Sequence, residues 1–177
     1  MSGRRQMFVP APRLSDSLTV MKRLLCLLLL VSALTARAES IVVIVRHAEK
    51  ASGKSDDPSL SEAGRARAEI LLRILRDSEI SAIFTTEFKR TKETAAPIAN
   101  TLKITPTVVP AKEIATLVDK LRGLHGNALV VAHGNTIPGL IKALGIDAPV
   151  NIPENDYDHF FIVAVGNQPR LLRLRYP

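Results

Sequence analysis

From residue 40 onward, two apolar patterns alternate along the chain. Short apolar runs predict strands at SIVVIV (40–45), SAIFTT (81–86), Thr105–Val109 and NALVVA (127–132), and the first is β-branched enough to be buried on both faces. FFIVAV (160–165) and RLLRLRY (170–176), separated by Gly-Asn-Gln-Pro, predict a strand pair. Between these runs the spacing changes to three and four residues. Ser61 is placed to cap a helix with Ala63, Ala66, Ile70 and Ile74 on its apolar face and Arg65, Glu69 and Arg73 opposite. Glu69 and Arg73 also form an i,i+4 pair in the favourable order. A second helix is predicted over Lys89–Leu102 on the stripe Ala95, Ile98, Ala99 and Leu102, with Pro97 expected to kink it or start a new turn. Ile114, Leu117, Val118, Leu121 and Leu124 mark a third, and Thr136–Leu144 a fourth that tolerates Pro138 in its first turn.

Strands alternating with helices predict a three-layer α/β/α domain with a mostly parallel sheet and an antiparallel edge. In such a sheet, ligands bind beyond the carboxyl ends of the strands.

The chain of 177 residues carries 24 Lys and Arg against 17 Asp and Glu, net +7, a balance that raises nucleic acid as a partner. The location of the charge removes that reading. Residues 21–38 have the three parts of a secretory signal peptide: basic Lys22-Arg23, an apolar run Leu24–Leu34, and Ala36-Arg37-Ala38 ahead of a cleavage expected after Ala38. The apolar run is shorter than the roughly 20 residues that span a bilayer, so no stable membrane anchor is expected after cleavage. Residues 1–20 lie outside this logic, as an extension or a start assigned too early. Residues 1–38 hold six of the basic residues and one acidic residue, which leaves 18 against 16 in the remainder. No nucleic-acid partner is then indicated. Cys26, the only cysteine, also lies in the leader, so a disulfide framework and a cysteine-rich zinc site are both excluded. The expected address is the periplasm or the exterior.

Three strand runs end in the same kind of chemistry. Arg46 and His47 follow IVVIV, Lys89 and Arg90 follow AIFTT, and His133, Gly134 and Asn135 follow ALVVA. All three groups fall at one edge of the predicted sheet, where two arginines and two histidines make a pocket for an anion such as a phosphoryl group. The helix start after Gly134 adds amide donors.

Arg46-His47-Ala48-Glu49, Leu60-Ser61-Glu62-Ala63-Gly64, Thr85–Thr91 leading to Thr94-Ala95, and Ala132-His133-Gly134 resemble, in order, the signature blocks of the histidine phosphatase superfamily in its phosphoglycerate mutase-like branch. The small, lidless phosphohistidine phosphatases are similar. The resemblance spans nearly all of residues 39–177, which would form the histidine phosphatase domain. It implies a phosphoglycerate mutase-like fold and His47 as a nucleophile that forms a phosphohistidine intermediate. It also implies Arg46, Arg90 and His133 as the phosphate pocket, with Asn135 as a further donor, and neither metal nor cofactor. For the general acid, Glu113 is the best match, with Asp56 and Asp57 as rivals in the loop after the first block. Ala48 and Ala132 are small departures from the family pattern.

The 42-residue gap between Arg90 and His133 leaves no room for a large lid. The expected activity is phosphomonoester hydrolysis of a phosphorylated small molecule, an envelope glycan or a phosphoprotein. The alternatives are a non-catalytic phosphate-binding module and a mutase-like phosphotransferase. His47 and His133 could instead be core histidines or metal ligands with Glu49 and Asp57. His125 and His159 are expected at a loop and a strand edge, and the acidic stretch Glu154–Asp158 with Tyr157 either rims the pocket or forms a turn.

Overall fold

The computed structural model describes Met21 and residues 39–177. Apart from Met21, the expected signal peptide and the extension before it therefore lie outside the described residues. The elements run β1 (Ser40–Arg46), α1 (Glu62–Leu75), β2 (Ile80–Thr85), α2 (Lys89–Leu102), β3 (Thr107–Val108), α3 (Ile114–Arg122), β4 (Asn127–Ala132), α4 (Ile137–Ala143), β5 (His159–Val165) and β6 (Arg170–Arg175). Six strands form one sheet in the order β3-β2-β4-β1-β5-β6. β1 to β4 are mutually parallel, whereas β5 runs antiparallel to both β1 and β6. This is the predicted three-layer architecture.

Alternation along β1 builds the layers. Val42 and Ile44 face one side with Val118, Leu121, Leu140 and Ile141 of α3 and α4. Val43 and Val45 face the other with Leu71, Leu75, Ala95 and Ile98 of α1 and α2. Ile44 and Val45 are fully buried, and each contributes roughly 1.5–3 kcal/mol by leaving water. Two packed faces explain why β1 and β4 read as continuous apolar runs.

One expectation about the helices changes. In α1 the buried residues are Gly64, Ala68, Leu71 and Leu75, while Ala63, Ala66 and Ile74 are exposed. The inward face is thus displaced by one residue from the predicted stripe. The larger leucines set it, together with Gly64, whose missing side chain lets the helix reach the Glu49 carbonyl: a Cβ there would lie 2.2 Å from that oxygen. Ser61 caps α1 as predicted, accepting the Gly64 amide at 3.1 Å. In α2, Pro97 sits inside a helix that continues from Lys89 to Leu102. The chain leaves it at Lys103, which adopts the left-handed conformation.

Candidate active site

β1 and β4 are adjacent, parallel and paired Arg46 to Ala132, and the His47 amide extends the ladder by donating to the Ala132 carbonyl at 2.9 Å. His47 and His133 therefore leave neighbouring strands at one level. Their rings meet edge to face with centroids 5.3 Å apart. β2 supplies the third segment: Thr85 ends it and Thr86 follows, Phe88 packs edge-on to His133 at 5.3 Å, and Arg90 lies in the first turn of α2 with its guanidinium 4.2 Å over the Phe88 ring. Strand ends thus gather Arg46, His47, Arg90 and His133 at the carboxyl edge of the sheet.

Each of these side chains is held. The Nη1 of Arg46 donates to the carbonyls of Pro153 and Asp156 at 2.9 and 3.1 Å, and Tyr157 stacks under the guanidinium at 4.2 Å. The Arg46 Nε is buried without a partner among the described residues. A buried donor left unpaired is costly. The Nδ1 of His47 lies 2.8 Å from the Ala48 carbonyl. A carbonyl only accepts, so Nδ1 carries the proton and Nε2 keeps its lone pair. Burial first, then the neighbouring His133 and the positive charge of Arg90 and Arg46, outweigh the Ala48 hydrogen bond and push His47 down to about 4. Burial with Arg90 lowers His133 to about 4 as well. At neutral pH both rings are uncharged beside two fixed cations. The cleft in front of them encloses about 520 Å³ and is lined by Lys50, Ser52, Ser55 and Asp56 on one side and Asn135, Ile152 and Glu154 on the other. The arrangement can hold an oxyanion on fixed cations and present an imidazole lone pair to its centre.

Against this geometry the family model described as "Histidine phosphatase superfamily (branch 1)" matches residues 42–114. No curated protein matches the chain. Among solved structures, a candidate phosphohistidine phosphatase SixA from Agrobacterium tumefaciens superposes with a TM-score of 0.57 at 20% identity, covering 77% of this chain and 98% of that one. A mycobacterial glucosyl-3-phosphoglycerate phosphatase gives 0.62 at 16% identity, with 77% and 97% covered. A candidate α-ribazole-5′-phosphate phosphatase from Escherichia coli K-12 gives 0.64 at 14%, with 78% and 97% covered. The fold shared with these structures thus extends past the matched residues to β4 and its His133.

The expected site residues divide on this fold. Arg46, His47, Arg90, His133 and Asn135 all line the cleft, and so does Asp56. Asp57 is turned to α2, accepting the Lys89 amide at 2.9 Å and standing 3.7 Å from Arg90. Glu113 is not brought to the cleft. It is exposed at the start of α3 and borders a separate crevice of about 20 Å³ with Pro110 and Ile114. The loop from Pro153 to Tyr157 does rim the pocket, through its carbonyls and the Tyr157 ring on Arg46. Glu49 is no metal ligand here, because Arg67 binds both its carboxylate oxygens at 2.8–3.0 Å. Asp156, Asp158 and His159 cluster closely enough for a cation, but Arg175 already occupies both carboxylates.

Three threonines of the second signature block had no role assigned from the sequence. Thr94 Oγ1 accepts the Ala48 amide at 2.9 Å, Thr86 Oγ1 meets His133 Nε2 at 3.0 Å, and Thr91 Oγ1 meets Thr86 Oγ1 at 3.0 Å. Their signal was polarity at positions of the α2 stripe and the β2 end that burial would otherwise fill with apolar residues.

Proposed function

We propose that this chain is a metal-independent phosphomonoesterase that works through a phosphohistidine on His47. The observation that carries the proposal is the His47–Ala48 hydrogen bond, which leaves Nε2 as a lone pair beside Arg46, Arg90 and His133. A phosphoryl group seated on the two arginines faces that nitrogen. Nε2 attacks phosphorus, the ester P–O bond breaks, and the arginines bear the charge on the equatorial oxygens. Asp56, the carboxyl of the original candidates that lines the cleft, protonates the leaving oxygen. Water then attacks phosphorus, Asp56 takes back a proton, and His47 departs with phosphate released. A mycobacterial glucosyl-3-phosphoglycerate phosphatase solved with inorganic phosphate and SixA solved with tungstate, both similar in fold, support an oxyanion as the kind of ligand.

The cleft is open and polar, which suits a phosphorylated small molecule, envelope glycan or phosphoprotein. The signal-peptide pattern of residues 21–38 supports a periplasmic or secreted address. The test is turnover of an aryl phosphate with and without chelator, alongside His47→Ala. Turnover that is lost in the variant, unaffected by chelator, and accompanied by a phosphoryl group trapped on His47 supports the proposal. Phosphate binding without turnover would instead favour a non-catalytic module.

A further inference from the structure

The hydroxyls of Thr86 and Thr91 form a chain whose direction is fixed at its far end. Thr91 Oγ1 lies 2.8 Å from the Phe88 carbonyl and 3.2 Å from the Thr86 carbonyl, both of which can only accept, so the Thr91 proton is donated to a carbonyl. Thr91 Oγ1 then accepts at its 3.0 Å contact with the Thr86 hydroxyl. Thr86 Oγ1, its own proton engaged, accepts at its 3.0 Å contact with His133 Nε2. His133 therefore carries its proton on Nε2. The opposite tautomer would turn the Thr86 proton to Nε2 and leave two oxygens facing each other at 3.0 Å with no hydrogen between them. Both threonines and the ring are buried, so solvent does not relieve that arrangement.

We infer that Thr86 is a positioning residue: it holds His133 as the Nε2–H tautomer, so that Nδ1 meets the cleft as a lone pair and takes up one proton when a phosphoryl dianion binds. The inference rests on the phosphatase reading of the site. The charged and titratable groups around His133 are Arg46 on β1, His47 beside it, Arg90 on α2 and Glu87 between β2 and α2. In the empty cleft the two arginines oppose a third positive charge. A bound dianion reverses that field, and Nδ1 gains a proton from solvent. The imidazolium then donates from Nδ1 to a phosphoryl oxygen and from Nε2 into the threonine chain, so both of its protons are satisfied.

The experiment is ¹⁵N–¹H NMR of the histidine rings in the full chain, with His133 assigned by its loss in His133→Gln, before and after adding vanadate. The expected result is a neutral Nε2–H ring that becomes doubly protonated with vanadate at neutral pH. Thr86→Ser retains both states. Thr86→Val shifts the ring to Nδ1–H, abolishes the vanadate-linked proton and lowers aryl phosphate kcat by about tenfold or more while flattening the acid side of its pH profile. An Nδ1–H ring in the wild type overturns the inference without any variant. A Thr86→Val protein that matches the wild type in tautomer and pH profile also overturns it. Absence of turnover in the wild type would defeat the phosphatase reading, while the NMR outcomes still decide the tautomer.

Discussion

Thr94 ties the backbone behind His47 to the helix that carries Arg90: its Oγ1 accepts the Ala48 amide at 2.9 Å and donates to the Arg90 carbonyl at 2.7 Å. Both Thr94 and Ala48 are fully buried. Thr94→Val leaves the Ala48 amide unpaired with no water at hand, which costs about 1–3 kcal/mol. Urea unfolding should show that loss, with turnover falling alongside as the two halves of the phosphate pocket lose their common tie. Thr94→Ser should restore both. Unchanged stability in Thr94→Val would show that the hydrogen bond contributes nothing net.

Arg46→Lys keeps the charge and should still weaken the pocket. Arg46 is anchored through Nη1 on two carbonyls and also lines the cleft, whereas a single ammonium cannot keep that anchor and bind an anion as a planar fork does. Loss of one charge-assisted hydrogen bond, worth about 1.5–3 kcal/mol, corresponds to roughly tenfold or more in inhibition by inorganic phosphate. An unchanged inhibition constant would mean that charge alone, not the guanidinium fork, holds the anion.

Gly64→Ala should destabilise the fold, because its Cβ would fall 2.2 Å from the Glu49 carbonyl, a backbone atom that cannot swing aside. Relief requires moving α1 away from the segment after His47, at about 1–3 kcal/mol. Gly123→Ala is the control: its Cβ meets nothing nearer than 3.5 Å, and its φ is −83°. Thermal unfolding of the two variants separates a steric clash from the general effect of replacing glycine.

The architecture was legible because β1 and β4 are buried on two faces and declare themselves as apolar runs, and because each of the two ends directly in a histidine. The inward face of α1 was not legible. Ala63, Ala66, Ile70 and Ile74 make as regular a stripe as Gly64, Ala68, Leu71 and Leu75, and only the contact at Glu49 chooses between them. Arg46, His47, Arg90 and His133 could be placed from strand ends alone. The acid could not, since Asp56 and Glu113 differ only in where their loops lie. The threonine contacts likewise join residues 46 and 47 positions apart, which no local pattern encodes.

Acid should unfold this protein through its two site histidines. Their pKa values of about 4 lie below the 6.5 of the unfolded chain, so both states are neutral at pH 7. As pH falls from 6.5 towards 4, the unfolded chain binds protons that the folded site refuses, and stability drops by a few kcal/mol in total. Urea unfolding at pH 7, 5 and 4 measures the decline, and the double variant His47→Asn/His133→Asn should lose that part of it. The neutral nucleophile also persists in this window, so kcat/KM should not fall at pH 6.5 as it would for an unshifted histidine. Wild type and double variant declining in parallel would show that other groups carry the acid sensitivity.

Asp56 and Glu113 are separable by a leaving-group series. Asp56 lines the cleft with Arg46, His47 and His133, while Glu113 is exposed beside a crevice too small for substrate. General acid assistance matters most when the departing oxygen is basic and least when it leaves readily as a phenolate. Asp56→Asn should therefore lower kcat for an alkyl phosphate by about 10²-fold or more and change kcat for a nitrophenyl phosphate far less. Glu113→Gln should leave both substrates near wild-type rates. If Glu113→Gln instead shows the larger, leaving-group-dependent loss, α3 must move to bring that carboxyl over the cleft during turnover, and the open cleft seen here would be a resting state.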